Sequence, residues 1–532
     1  MATNRLFTFN NGPAIGDALQ YGNLSVSTSA IDGHRWWPGP DEDLGYVIAH
    51  DDTNPNMRTE GARSATVSTN SIGFWRTSVK SNSAFLTMVN ELLGQNFVDV
   101  NTATDWLLTN GYWTSYDGSQ DGSLYSNNTS FAYGSIENAT GGVINDIEPQ
   151  SDGKIIVGGA FNYVFYTGLT SSRDGLVRLN SDASEDTSFY TNMLSTGDGS
   201  LFGVGSNVIK TKVQSDGKIL VVGNFSYFNG NPRTAIIRLN SNGVEDTSFY
   251  SNFVSTGTGT GFDVTQVYSV ETQSNGKILV GGRFNYLNGV ARDGIVRLNT
   301  DGTEDTAFYT NVSSWIGSVD NIVNIKVQPD GKILMSGLIT NNYAGSEYDN
   351  SQGIYRINSD GTLDTTFDSN LGTKFSSGIG KFDIQSDGKI VLGVSNTTLF
   401  NGNSRKGVIR LNSDGTEDTT FYTNFTSTGD GLGITHSSTQ AFSYTTSVVF
   451  QPDGKILLSG IFDTYNGFSR PGQIIRLNSD GTEDLTFTPP PMTRNTSYPT
   501  ISDTYLSPNG ILYVGGTFDG PNKGFYMSYA YN

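Results

Sequence analysis

The stretch SDGKIIVGGAF (151–161) decides the fold, because it comes back six more times. It returns as SDGKILVVGNF (215–225), SNGKILVGGRF (274–284), PDGKILMSGLI (329–339), SDGKIVLGVSN (386–396), PDGKILLSGIF (452–462) and, more loosely, PNGILYVGGTF (508–518). Its lysines are Lys154, Lys218, Lys277, Lys332, Lys389 and Lys455, with Ile511 in the seventh slot, at spacings of 64, 59, 55, 57, 66 and 56 residues. A period in this range is the mark of a repeat architecture, which takes precedence over any local reading.

Working outward, each unit reads as four short strands. VINDIEPQ (143–150) alternates apolar and polar residues, as a half-buried strand does. The Asp-Gly or Asn-Gly pair tolerates the positive φ of a tight hairpin. The next strand, KIIVGG, is almost wholly apolar, and its glycines Gly158 and Gly159 suit a close approach of neighbouring backbone. A third strand follows as GLVRLN (175–180), AIIRLN (235–240), GIVRLN (294–299), GIYRIN (353–358), GVIRLN (407–412) and QIIRLN (473–478). A turn such as NSDGTED then leads to DTSF, DTAF, DTTF or DLTF, read as a fourth strand. Four antiparallel strands per unit of this length predict a seven-bladed β-propeller of four-stranded blades over 127–532. The last unit ends at GFYMSYAYN (524–532) without a DTSF element, while Asn128-Thr129-Ser130-Phe131 precedes the first unit. The expectation is that residues 128–133 supply the outer strand of the last blade, closing the ring and removing an exposed edge.

The DGKIxVGG, RLNxDGxxD and DTSF elements resemble those of the bacterial delta-60 repeat β-propeller family over about residues 128–532. That resemblance implies a fold and a surface or particle context, with no shared activity.

Residues 1–126 do not repeat and read as a small α+β domain. They hold Trp36, Trp37, Trp75, Trp106 and Trp113, taken here as candidate attachment residues. Strands are expected at 44–49 and 72–75, and helices at 83–97 and 102–111. The run GYVIAH, GFWRT, a helix ending in NF, then NGYWTSY (45–116) resembles the N-terminal segment of tailed-phage virion structural proteins. That implies an attachment module ahead of a displayed domain.

Composition narrows the field. The net charge of −19 argues against a nucleic-acid partner, since phosphate binding needs clustered Lys and Arg. With no cysteine, disulfides and Cys-ligated zinc are excluded. Aromatic residues at 12% speak against disorder, and the 64 glycines fit many strands joined by tight turns. MATNRLFTFNNGPAIGD lacks the basic and apolar regions of a secretory signal, and no run of eighteen apolar residues occurs. The expectation is a soluble protein made in a host cytoplasm, without membrane insertion.

Candidate sites are few. His34, His50 and His436 lack metal-ligand spacing, and GTGTGF (257–262) lacks the helix that a phosphate loop requires. Asn299-Thr300-Asp301-Gly302-Thr303-Glu304-Asp305 resembles a shortened calcium loop, but its first ligand is Asn and the bidentate Glu is missing, so a plain turn is preferred and no cofactor is expected. Arg178, Arg238, Arg297, Arg356, Arg410 and Arg476 occupy one strand position, and Asp186, Asp246, Asp305, Asp364, Asp418 and Asp484 another. A basic ring for an anion is one reading. The preferred one is an Arg–carboxylate scaffold pair inside each blade. Tyr163, Phe165, Tyr166, Tyr343 and Tyr348 suit either sugar stacking or protein contacts.

The expected function is a non-enzymatic virion structural protein, a tail or appendage component. It would join other virion proteins through its N-terminal domain, within a homo-oligomeric assembly, and face a host-surface glycan or protein. The alternatives are a bacterial surface propeller that binds polysaccharide and a glycan-active enzyme with carboxylates in a central channel.

Overall fold

The structure is a computed structural model in which the chain divides into two units, 1–126 and 127–532. It describes residues 20–21, 24–25, 35–38 and 45–49 of the first unit. In the second it describes 130–529 apart from short stretches, chiefly 134–139, 342–351, 437–442, 490–499, 507–510 and 518–524.

In the first unit Arg35–Pro38 pairs antiparallel with Gly45–Ala49, setting Trp36 opposite Val47 and Trp37 opposite Tyr46. The strand expected at 44–49 is therefore present. The strand at 72–75, both expected helices, and Trp75, Trp106 and Trp113 lie outside the described residues.

The second unit is mainly β and built from strand-rich repeats. Each repeat gives a three-stranded antiparallel sheet whose middle strand, the apolar run after the Asp-Gly turn, pairs with the other two. In the first sheet Val143–Pro149 is innermost, Ile155–Ala160 is central and Leu176–Leu179 is outer. The other innermost strands are Asn207–Val213, Val267–Thr272, Ile316–Val327, Ile379–Ile384, Tyr444–Phe450 and Thr500–Leu506. Each innermost strand lies against that of the next repeat, and Thr500–Leu506 lies against Val143–Pro149. The two glycines of the central strand have separate reasons. A Cβ on Gly158 would stand 2.7 Å from Val208 Cγ1 in the next sheet, and one on Gly159 would stand 2.1 Å from the Val143 carbonyl in its own.

The core sits between consecutive sheets. Leu220, Val222 and Ile236 of one sheet interleave with Val267, Val270, Ile278 and Val280 of the next, all fully or almost fully buried. Burial of aliphatic side chains at about 25 cal/mol per Å² is the main stabilising term at each junction.

Three sequence expectations are corrected. First, the DTSF elements at 186–189, 246–249, 305–308, 364–367 and 418–421 are not fourth strands. After one antiparallel bridge, such as Leu179 with Glu185, the chain turns into a seven-residue helix. Such helices are Thr187–Met193, Thr247–Phe253, Thr306–Val312, Thr365–Leu371 and Thr419–Phe425. The cause is the aspartate: Asp186 is an N-cap whose carboxylate accepts from Phe189 N, a bond that favours a helical first turn. The helix then buries Phe189 and Met193.

Second, residues 130–133, the described part of the 128–133 segment, do not extend the last sheet among the described residues. Ser130–Tyr133 pairs instead with Tyr163–Tyr166 and Thr140–Gly141. It takes the place that Ile434–Thr435 takes beside Thr464–Tyr465 in a later repeat, a site the chain reaches just before its innermost strand. The C-terminal sheet has Phe525–Tyr529 as its outer strand.

Third, small hairpins interrupt the step from central to outer strand. Tyr227–Phe228 pairs with Asn231–Pro232, Tyr286–Leu287 with Val290–Ala291, and Thr398–Phe400 with Asn403–Arg405. Asn229 and Gly230, at φ 50° and 71°, are the paired positive-φ residues that a two-residue hairpin requires.

Candidate functional site

Two arrangements of charged side chains stand out, one repeated and one not. In the repeated one, the turn lysine and the outer-strand arginine converge on the helix-capping aspartate. Lys154 Nζ lies 2.6 Å from Asp186 Oδ2, and Arg178 Nε donates to the same oxygen at 3.0 Å. The other oxygen accepts from Ser188 Oγ and Phe189 N. Arg178 Nη1 reaches the Ser241 carbonyl of the next repeat at 2.6 Å, and its guanidinium lies 4.1 Å from the Phe189 ring centroid.

The same geometry joins Arg238 to Asp246, Arg297 to Asp305, Arg356 to Asp364, Arg410 to Asp418 and Arg476 to Asp484. Lys218, Lys277, Lys332, Lys389 and Lys455 complete the five clusters. Burial opposes the carboxylate charge, but hydrogen bonds from lysine, serine and backbone and the arginine charge hold Asp186 well below the usual carboxylate range. Asp246, Asp305, Asp364, Asp418 and Asp484 are depressed likewise. The arginines face these partners, not a common anion site.

The calcium-like turn is occupied by its own contacts. Asp301 Oδ1 accepts from Thr303 N and Oγ1, Glu304 pairs with Arg292, and Asp305 belongs to the cluster of Lys277 and Arg297. These carboxylates diverge instead of meeting around a cation. Among the described residues no group of three His, Asp or Glu is placed to hold a metal ion. His436 lies 3.7 Å from Asp463, while His34 and His50 fall outside the described residues. The GTGTGF stretch is a loop with positive φ at Gly257, Gly259 and Gly261. Tyr343 and Tyr348 lie outside the described residues, and of Tyr163, Phe165 and Tyr166 only the backbone strand is described.

The second arrangement lines a cavity of about 600 Å³ to which all the innermost strands contribute. The register of these strands slips at the same point in every repeat, between Ile144 and Asp146 in the first and between Ile501 and Asp503 in the last. Such bulges re-aim side chains. The result is three tiers. The slipped residues, Asn145, Ile209, Tyr268, Val323, Gly380, Thr446 and Ser502, form an uncharged upper tier.

Below them come Asp146, Lys210, Ser269, Asn324, Lys381, Ser447 and Asp503. The lowest tier is Glu148, Lys212, Glu271, Lys326, Asp383, Val449 and Tyr505.

Charges in the two lower tiers pair around the wall. Lys210 pairs with Asp146, and Lys381 Nζ lies 2.8 Å from Asp503. Asp503 also accepts from Ile147 N at 3.1 Å, so the last repeat is held to the first. Lys212 stands between Glu148 at 3.7 Å and Glu271 at 3.1 Å, and Lys326 lies 3.2 Å from Asp383. Burial opposes the charge of Asp503, but Lys381 and Lys210 outweigh it and lower its pKa. Burial likewise opposes the Lys210 ammonium, but Asp146, Asp503 and Glu148 raise its pKa. For Glu148 burial dominates, and the pKa rises despite Lys212 and Lys210.

None of these cavity residues was singled out from the sequence. Their signal was the run of polar residues in most first strands, which no common motif marks because the residue changes from one repeat to the next along the chain.

Six stretches match the family described as domain of unknown function (DUF5122) beta-propeller: 150–189, 214–249, 273–308, 328–367, 385–421 and 451–487. This chain is a β-propeller repeat protein. Each stretch runs from the turn before the central strand to the phenylalanine of the DTSF-type element, through six of the seven repeats. No curated protein matches the sequence. Among solved structures, the chain is similar to the WD40 β-propeller domain of Doa1, at 11% identity and a TM-score of 0.40 over 76% of this chain and 97% of that one. It is similar to the extracellular domain of a putative one component system from B. thetaiotaomicron, at 13% identity and a TM-score of 0.40 over 76% of this chain and 42% of that one. It is also similar to the GH74 xyloglucanase from Xanthomonas campestris, at 10% identity and a TM-score of 0.41 over 75% and 55% of the two chains. The chain thus spans under half the length of the B. thetaiotaomicron domain.

Proposed function

We propose that this protein is a non-catalytic structural and interaction component of a virus particle, in which a seven-bladed propeller is carried by an N-terminal attachment module. Its blades are three strands edged by a short helix. The ring is closed by the seam between the first and last sheets, supported by the Ile147–Asp503 hydrogen bond and by Gly515, whose absent Cβ would stand 2.4 Å from Ile144 Cγ2.

The observation that carries a carrier role is the repeated Lys–Asp–Arg cluster. It commits the most regular charges of the chain to joining one repeat to the next. Each carboxylate named in the channel also sits in an ion pair, which supports a scaffold over an acid–base catalyst. The particle setting is supported by the phage-like run at 45–116 and by a net charge of −19, which keeps copies apart except at dedicated contacts.

Mass spectrometry of purified virions tests this reading: the protein is expected at stoichiometric abundance. A chain beginning near Gly122 is expected to fold yet stay out of particles. Absence of the full protein from virions, or normal incorporation of the shortened one, overturns the corresponding half of the proposal.

A further inference from the structure

The charged tiers hold five carboxylates and four lysines, each of them in an ion pair and Lys212 in two, whereas the tier above them carries no charge. That upper collar presents Tyr268, Val323, Thr446 and Ser502, with Tyr444 beside it. Val323 and Tyr444 are 38% and 37% exposed, so their apolar surfaces are open to a ligand. A charged ligand entering here finds no unpaired counter-charge and would have to part an existing ion pair to gain one. An uncharged ligand rich in hydroxyls meets no such obstacle. Tyrosine rings give it flat, amphipathic faces, the Ser502 hydroxyl gives it a hydrogen-bond partner, and Thr446 Oγ1, whose hydrogen goes to the Ile501 carbonyl, keeps lone pairs that can accept from it. The cavity, at about 600 Å³, lies within the range of roughly 300–1,000 Å³ usual for small-ligand sites.

We infer that the upper collar of the channel binds a neutral sugar residue, an uncharged hexopyranose either free or at the end of a glycan chain, stacked on Tyr268 or Tyr444 and hydrogen-bonded by Thr446 and Ser502. This deepens the interaction role proposed above and rests on the closed-ring reading, because the collar exists only where the innermost strands meet around one channel.

The test is calorimetric titration of the full-length protein with methyl glycosides of glucose, galactose, mannose and N-acetylglucosamine. Neutral trisaccharides of the same sugars distinguish a chain end from a free sugar, and glucuronate and glucosamine serve as charged counterparts. At least one neutral glycoside is expected to bind, and its charged counterpart more weakly. One of Tyr268→Ala and Tyr444→Ala, whichever removes the stacking ring, should weaken binding about tenfold, while Tyr505→Ala, in the lowest tier, leaves it unchanged. Val323→Trp, which fills the collar from an exposed position, should abolish binding without lowering the melting temperature. It serves as the check should a tyrosine variant misfold. No binding by any neutral sugar, equal binding by the charged ones, or sensitivity to Tyr505→Ala alone overturns the inference. Cooperative melting of the parent protein reports on the ring separately, and virion mass spectrometry on the particle role, so each can fail without the others.

Discussion

The belt where repeats join and the wall of the cavity are made by different strands of the same sheets, and they are written by opposite rules. At the belt, Lys, Asp and Arg recur at matched positions in six repeats, with the same oxygen of each aspartate accepting from both cations. On the wall, the position held by Asp146 becomes Lys210, Ser269, Asn324, Lys381, Ser447 and Asp503 in turn. What recurs is what every junction needs. What varies is particular to this molecule, and a site has to be sought there.

Acid should separate the two regions most. The belt aspartates have folded pKa values below their unfolded value of about 4. They contribute stability that is present above that value and lost as pH falls through the folded ones. Melting temperature is therefore expected to stay level from about pH 7 to 5 and to fall steeply below about pH 4. A level profile to lower pH would mean that the belt is not the main acid-sensitive element.

Among single changes, Asp246→Ala should cost most. It strips the partner from Lys218 and Arg238 and the cap from Thr247–Phe253, a loss of about 3–5 kcal/mol in a denaturant titration. On the wall, Asp503→Asn keeps the shape but removes the charge facing Lys381, with a smaller expected cost of about 1.5–3 kcal/mol. Glu148→Gln should change stability by less than about 1 kcal/mol. Burial raises the Glu148 pKa, so its ionised form opposes folding and stability rises as pH falls through the folded value, while Glu271 remains to pair Lys212. If Glu148→Gln cost as much as Asp246→Ala, the contrast between wall and belt would not hold. The smallest effect is expected from a chelator: with the turn carboxylates held by protein groups, the melting temperature should move by no more than about 1 °C.

The repeats, the Asp-Gly turns and the apolar central strands were legible because each leaves a recurrent mark on the sequence. The helix at DTSF was legible too, through an aspartate three residues before a buried phenylalanine, but four residues such as DTSF read equally well as a short strand. The small hairpins carried Asn-Gly at Asn229, Asn288, Asn401 and Asn466, in segments whose other residues diverge. Pairing of Arg with Asp followed from their joint recurrence. The participation of Lys154 and its counterparts did not, since a lysine after a turn is ordinarily solvated. The cavity tiers stayed hidden for a physical reason. A bulge breaks the two-residue alternation at the strand's midpoint, so Asn145, Asp146 and Glu148 can all line or border the cavity although simple alternation would send one of them away.

One detail of the junction bears on how such a chain arises. Arg178 and its counterparts cross to the next repeat by donating to main-chain carbonyls, of Ser241, Thr300, Ser359, Ser413 and Ser479, and Asn192 and Asn252 do the same to Asn242 and Asp301. A carbonyl is supplied by any residue, so the junction makes no demand on its neighbour's side chains at that point. A gene that copies one unit over another keeps its joints, and neighbouring units can drift apart in sequence without loosening. Inheritance is conservative only at the cavity wall, where Asp503 must meet both Lys381 and the backbone of Ile147, and there a shuffled unit would arrive beside the wrong partner.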